Sequence, residues 1–276
     1  YPGRISSDKG EKSGMKKLEA VIFDWAGTTV DYGCFAPVQA FAEVFKAFGI
    51  EPTMEEVREP MGMLKRDHIK AMLAMPRIRT LWEEKYGRPS GETDIDSLYQ
   101  MFEGKLMSIL ENFTDIKPGV LETVKILREK GISIGSTTGY TDGMMEIVVK
   151  KAEEHGYKPD AWFSPDSTNK LGRPYPYMIY RNMEAFAVSS ADGVVKVGDT
   201  VSDIMEGKSA GVFSIGIIEG SSEMGLSREE YDSLTGEEKS RRAALVTAKY
   251  AEAGADEVIH NMWELIPLLN NIFIIE

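Results

Sequence analysis

Two aspartates stand where an open sheet of alternating strands and helices would place reactive groups. Asp24 ends the apolar run Leu18 to Phe23 (LEAVIF), and Asp199 follows Gly193 to Val197 in the stretch GDTVSD. A short apolar run with polar chemistry at its C-terminal end reads as a strand buried on both faces. Ligands of such sheets bind at that end. Paired carboxylates there make a hard oxygen site suited to Mg²⁺, which would offset their mutual repulsion. A carboxylate left partly free can attack phosphorus and carry the phosphoryl group as an acyl phosphate.

Two further segments complete that chemistry. Ser136, Thr137, Thr138 and Gly139 follow the apolar stretch Ile132 to Ser136, and Arg173 lies in GRPYP. A threonine hydroxyl, a following backbone N–H and an arginine fork are suited to phosphoryl oxygens. Arg173, like the others, is expected at a strand end. Asp203, four residues after Asp199, has two readings of equal standing. It orders the metal shell, or it is an acid in a first helical turn near the dipole.

The elements that must position these groups alternate. Strands are expected at 18–23, 132–136, 193–197 and 212–218, with a weaker one at 257–260. Helices are expected at 119–130, 142–154 and 177–187. That alternation predicts an α/β fold, a doubly wound, mostly parallel sheet of Rossmann-like form. From 35 to about 113 only helical signals occur. Val38, Phe41, Phe45 and Phe48 make an apolar stripe after Pro37, with Gly49 as the stop. Thr53 and Glu56 form a capping-box pair. Further helices are expected over 63–75, ending before Pro76, and over 94–113. A helical cap domain at 34–113 over a catalytic core of 15–33 and 114–276 is the resulting organisation. Residues 1–14, polar and without periodicity, are expected to be a leader or an expression remnant. The charge-rich stretch 227–242 reads as a solvated helix–loop–helix.

Composition narrows the class. The 276 residues carry 44 acidic and 32 basic side chains, a net charge of −12, with 42% apolar residues. Such a chain is an ordinary globular protein, and its acidity argues against nucleic acid as partner. No apolar run reaches a membrane span, and no secretory signal is evident. Cys34 is the only cysteine, so no intrachain disulfide forms. A cytoplasmic location is expected.

Asp24 with Gly27 and Thr28, then Thr138, Arg173 and GDTVSD resemble the four signature motifs of the haloacid dehalogenase-like phosphotransferases, with the helical insertion where that family has its C1-type cap. One departure is informative. The phosphatases of the family have a second aspartate two residues after the nucleophile, to protonate the leaving alkoxide, and here that position is Ala26. A general acid contributes about 10²–10⁴-fold, so its loss suits a leaving group that needs an electron sink instead of a proton. An iminium between a lysine and a neighbouring carbonyl is such a sink. Lys65 is the candidate, on a predicted helical face with His68, Ile69 and Met72, where apolar neighbours would lower its pKa.

The segments FDWAGTTVDYGCFAP, EPMGMLKRDH, GSTTGYT, GRPYP and GDTVSD together resemble the phosphonatase branch of that superfamily, which hydrolyses phosphonoacetaldehyde to acetaldehyde and phosphate. The resemblance implies Asp24 as nucleophile and Lys65 as the Schiff-base lysine. It implies Mg²⁺ held by Asp24, the Ala26 carbonyl and Asp199, and phosphonate oxygens held by Thr138, Gly139 and Arg173. Cys34, Met61, His68 and Tyr140 match positions that line or tune the family's pocket, and a homodimer through the caps is implied. The alternatives are a phosphate-monoester phosphatase or mutase of the same superfamily and, more distantly, a receiver-like phosphoacceptor.

Overall fold

The computed structural model describes residues 15–275, so the expectation for 1–14 lies outside the described residues. Seven strands occur in it: β1 (Lys16–Lys17), β2 (Ala20–Phe23), β3 (Ser133–Ser136), β4 (Val194–Gly198), β5 (Phe213–Ile217), β6 (Glu257–Ile259) and β7 (Phe273–Ile274). Five of these make one parallel sheet in the order β3-β2-β4-β5-β6. The chain leaves β2 toward one side for β3, then crosses to β4 on the other, so the strand order reverses at β2. That reversal opens a crevice at the C-terminal ends of these strands. β1 and β7 pair in parallel as a separate two-stranded ribbon, which the sequence pattern did not anticipate.

Every residue of β2 and of β4 is buried, as expected for strands covered by helices on both faces. The covering helices include α6 (Val120–Glu129), α7 (Asp142–Glu154), α8 (Tyr177–Ala185), α9 (Val201–Ala210), α11 (Gly236–Glu252) and α12 (Leu265–Ile272), with short α10 (Arg228–Ser233) before α11. The stretch 227–242 is thus the expected pair of helices, each opened by a capping box, on Ser227 and Thr235.

Between β2 and α6 lie five helices: α1 (Phe35–Ala47), α2 (Met54–Arg58), α3 (Lys65–Ala74), α4 (Pro76–Tyr86) and α5 (Glu92–Ile109), with a 3₁₀ turn at Leu110–Phe113. The Thr53–Glu56 capping box is present. Two details differ from the sequence reading. Helix α3 is shorter than 63–75, and Pro76 does not merely follow a stop but opens α4 at its first turn, where a missing N–H costs nothing. The helices pack through aromatic faces. The Phe41 ring stacks on Phe102 at 4.1 Å and on His68 at 3.8 Å, and each fully buried Phe contributes about 1.5–3 kcal/mol.

The helical segment joins the sheet through two adjacent stretches of chain. Val30 and Ile116 form an antiparallel bridge, the Asp31 N–H donates to Asp115 O (3.2 Å), and Lys117 N–H donates to Thr29 O (2.8 Å). Asp31 then caps α1, accepting from Phe35 and Ala36 N–H at 3.0 Å each.

Candidate active site

The strand register brings the edge groups level. Phe23 pairs with Ser136 on one side and Val197 on the other. Asp24 N–H continues the ladder to Val197 O (2.9 Å), and Thr137 N–H to Phe23 O (3.1 Å). Asp24, Thr137–Thr138 and Asp199 therefore emerge at one edge of the sheet. The chain after Asp24 turns tightly, with Thr28 and Thr29 N–H both donating to Trp25 O. Gly27 sits at φ 89°, and a Cβ there would overlap the Asp199 carboxylate. Only glycine lets the backbone pass so close.

Arg173 is not at a strand end, contrary to expectation. It lies in the loop between the 3₁₀ turn Pro165–Thr168 and α8, and its long side chain reaches the edge from there. Nη2 lies 2.6 Å from Asp24 Oδ1, 2.9 Å from Thr137 Oγ1 and 3.0 Å from Asp203 Oδ1, while Nε donates to Glu206 Oε2 at 2.9 Å. Burial opposes its charge, but Asp203, Asp24 and Glu206 outweigh that and hold the guanidinium more firmly protonated than an ordinary arginine. Lys196, fully buried on β4, donates to Thr137 Oγ1 (2.9 Å) and pairs with Asp203 Oδ1 (2.8 Å). Burial works against the Asp203 carboxylate's charge too, yet Arg173 and Lys196 keep it below the ordinary aspartate value.

Asp203 stands in the first turn of α9, as one of its two readings has it. Its Oδ2 accepts from Thr200 N–H and Oγ1 in the capping box of α9, and its Oδ1 joins the charge network. Asp24, Asp199 and Asp203 place carboxylate oxygens within 4.8 Å of one another, all buried. Asp199 is oriented by Thr28 Oγ1 (2.9 Å) and by Ser222 N–H (2.8 Å). Burial pushes its pKa well up, and Asp24 and Asp203 add to the shift. A hard cation between Asp24 and Asp199 would relieve that repulsion, so this donor set fits Mg²⁺.

The helical segment closes the other side. Asp24, Ala26, Thr138, Gly139, Tyr140 and Arg173 from the sheet unit meet Cys34, Met61, Gly62 and Lys65 around one small pocket. The approach is close. The Gly62 carbonyl accepts from Arg173 Nη1 at 3.3 Å, and a Cβ at Gly62, where φ is 89°, would strike the Thr200 hydroxyl. Lys65 opens α3 and is 3% exposed, its Nζ 5.1 Å from the Tyr140 ring centre. Burial, helped by Arg173, holds its amine below the ordinary lysine value against Cys34, Asp24 and Asp199. Burial pushes the Cys34 thiol well up, with Asp31 and Asp199 adding to it, so at neutral pH it is an uncharged wall.

Of the residues singled out from sequence, Asp24, Ala26, Cys34, Met61, Lys65, Thr138, Gly139, Tyr140 and Arg173 line this pocket. His68, Asp199 and Asp203 are fully buried beside or beneath it. His68 Nε2 lies 2.8 Å from Val57 O, so it must carry the proton. Burial and Lys65 hold the ring well below the usual histidine pKa, so it is neutral. Thr137 stood in the quoted segment without a role of its own, whereas Lys196, Glu206 and Ser222 belong to the site and were missed. Lys196 had a signal, a charged residue inside an otherwise apolar strand, GVVKVG.

The comparisons agree with this geometry. A family model described as haloacid dehalogenase-like hydrolase matches residues 18–211. A phosphonoacetaldehyde hydrolase from Lysinibacillus sphaericus is 51% identical over 256 residues, covering 93% of this chain and 95% of that protein. A bifunctional phosphonoacetaldehyde hydrolase/aminoethylphosphonate transaminase from Clostridioides difficile is 50% identical over 93% of this chain, which spans only 40% of that longer protein. The crystal structure of a phosphonoacetaldehyde hydrolase-like protein from Oleispira antarctica superposes with a TM-score of 0.89 at 37% identity, covering 94% of this chain and 93% of that one. The chain belongs to the haloacid dehalogenase-like hydrolases and, among them, to the phosphonoacetaldehyde hydrolase family.

Proposed function

We propose that the protein hydrolyses the C–P bond of phosphonoacetaldehyde, giving acetaldehyde and phosphate. One observation carries the reading: the buried, pKa-lowered amine of Lys65 faces the same pocket as Asp24 and Arg173, while position 26 offers no acid. Lys65 Nζ adds to the aldehyde carbonyl and water leaves, producing an iminium. Asp24 attacks phosphorus, and the C–P electron pair moves toward the iminium to give an enamine and an aspartyl phosphate. Protonation of the enamine at carbon and hydrolysis of the resulting imine free acetaldehyde and Lys65. A second water cleaves the acyl phosphate, releasing phosphate and Asp24. Thr138, the Gly139 N–H and Arg173 hold the phosphonate oxygens through these steps.

Asp24, the Ala26 carbonyl and Asp199 would hold Mg²⁺, with Asp203 behind them. The cation supplies charge neutralisation between the carboxylate and the phosphonate dianion. Residues 34–113 are read as a cap domain that delivers Lys65, Met61 and Cys34 to the core and excludes water from the imine. Two copies are expected to pair through these caps, as the family resemblance implies.

The test is borohydride trapping in the presence of phosphonoacetaldehyde, with peptide mapping and a phosphate assay in parallel. Reduction onto Lys65 that depends on substrate, together with loss of phosphate release in Lys65→Ala, supports the reading. Turnover of phosphate monoesters without an adduct would replace it by the phosphatase reading.

A further inference from the structure

Arg58 has no place in the chemistry above, yet it is the side chain by which the helical segment grips the loop behind Asp199. It ends helix α2, and its Nη1 donates to Gly33 O at 2.8 Å and lies 3.3 Å from Ser222 O and 3.4 Å from Ser222 Oγ. The guanidinium carbon sits 5.0 Å from the Phe35 ring centre, a distance typical of a cation over an aromatic face. Both of its backbone partners are informative. Gly33 is in the first connection between the two units, and its own N–H donates to Gly220 O at 2.8 Å. Ser222 is the residue whose N–H orients Asp199 Oδ2.

Arg58 therefore touches, from one point, the connection about which the helical segment joins the sheet and the loop that orients Asp199. It also immediately precedes the turn carrying Met61 and Gly62 into the pocket, with Lys65 at its far end. From helix α2, one guanidinium nitrogen thus reaches two carbonyls on the sheet side, at the connection and in the loop, with a direction set by the planar group that an ammonium point charge holds poorly. We propose that Arg58 is a positioning residue that latches the helical segment down and orders the Ser222 loop, so that seating of Lys65 and metal binding at Asp199 are energetically coupled. Coupling is reciprocal: a bound cation favours the latched state by the same factor by which the latch favours the cation.

The metal half of this inference rests on the Mg²⁺ reading, and the loop half does not, so two measurements separate them. Hydrogen–deuterium exchange of the full chain is read at peptides spanning 31–36 and 219–226, with and without Mg²⁺. Mg²⁺ affinity is measured by calorimetry without substrate. Arg58→Gln should speed exchange in both peptides and weaken Mg²⁺ about five- to fifty-fold, with Arg58→Lys between it and the parent. Arg77→Gln is the control. That arginine pairs with the Glu56 carboxylate and donates to the Glu51 backbone carbonyl inside the helical segment, and its loss should leave both readings unchanged.

Unaltered exchange at 219–226 in Arg58→Gln overturns the latch, as does acceleration spread evenly over the whole chain, which marks a merely structural role. Should Arg58→Gln not fold, Arg58→Lys is judged by the same two peptides. If the parent protein binds no Mg²⁺, the metal reading falls, and the exchange result still decides whether Arg58 orders the loop.

Discussion

Arg173 spans the site from below, its Nη2 2.6 Å from Asp24 Oδ1 and its Nε 2.9 Å from Glu206 Oε2. The Nε of the guanidinium is thus committed to a residue that no substrate reaches, which fixes the neighbouring Nη2 toward Asp24. Glu206→Gln should keep the fold while lowering affinity for inorganic phosphate, because Arg173 loses its charged anchor. Glu206→Ala should also destabilise by about 3–5 kcal/mol, the cost of breaking a buried pair. Phosphate binding and chemical denaturation measure the two effects. Equal phosphate affinity in Glu206→Gln and the parent would show that Arg173 needs no anchor.

In the proposed mechanism, Lys65 sets a pH dependence. Its amine must be neutral to attack a carbonyl, and burial lowers its pKa below the ordinary 10.5. The rate at sub-saturating substrate should therefore rise with pH on the acid side, with a midpoint below the usual lysine range. The stability sign follows from proton counting. The unfolded chain holds this proton more tightly, so the group makes the fold more stable as pH rises from the folded-state value toward 10.5. Lys65→Met should abolish activity and raise stability at neutral pH by about 1 kcal/mol, read by denaturation at pH 7. A less stable Lys65→Met protein would mean that the charged amine is well solvated in the pocket.

Ala26 offers a gain-of-function test. It lines the pocket beside Asp24, at the place where the phosphatases of the superfamily keep a proton donor. Ala26→Asp should raise hydrolysis of simple phosphate monoesters, toward the roughly 10²–10⁴-fold a general acid supplies, and should slow C–P cleavage. An unchanged monoester rate would show that the pocket excludes alkoxide leaving groups by shape.

Gly27→Ala should be severe for two independent reasons. The backbone there is left-handed, and the new methyl would occupy the position of the Asp199 carboxylate. Left-handed backbone costs about 1–2 kcal/mol for a residue with a Cβ, and displacement of Asp199 should also weaken Mg²⁺. Thermal unfolding and metal titration read these separately. Wild-type metal affinity would show that Asp199 does not hold the cation.

The strand-edge residues were legible because period and position agree: an apolar run buried on both faces ends in a polar group at the edge where ligands bind. Arg173 was identified for its chemistry and misplaced in the fold, since a long side chain can reach a sheet edge from a loop that shows no periodicity. Glu206 was invisible because a glutamate in a helix looks like surface charge until the neighbouring Lys196 is seen pointing inward. Ser222 acts through its backbone N–H, which any residue type supplies, so its identity carried no signal. The helix opened by Pro76 was lost because proline marks both a helix stop and a first turn, and only tertiary packing separates the two.

The helical segment enters and leaves the sheet through neighbouring points, with Val30 and Ile116 joined by a backbone bridge. A stretch whose two ends lie side by side can be exchanged for another of different length without reopening the sheet, since the gap to be spanned stays the same. Asp24, Thr138 and Arg173 would remain in place under any such replacement, while Lys65 and Met61 would leave together. On the proposed chemistry, the architecture would separate a reusable phosphoryl-handling base from an interchangeable attachment that supplies the amine needed for C–P cleavage.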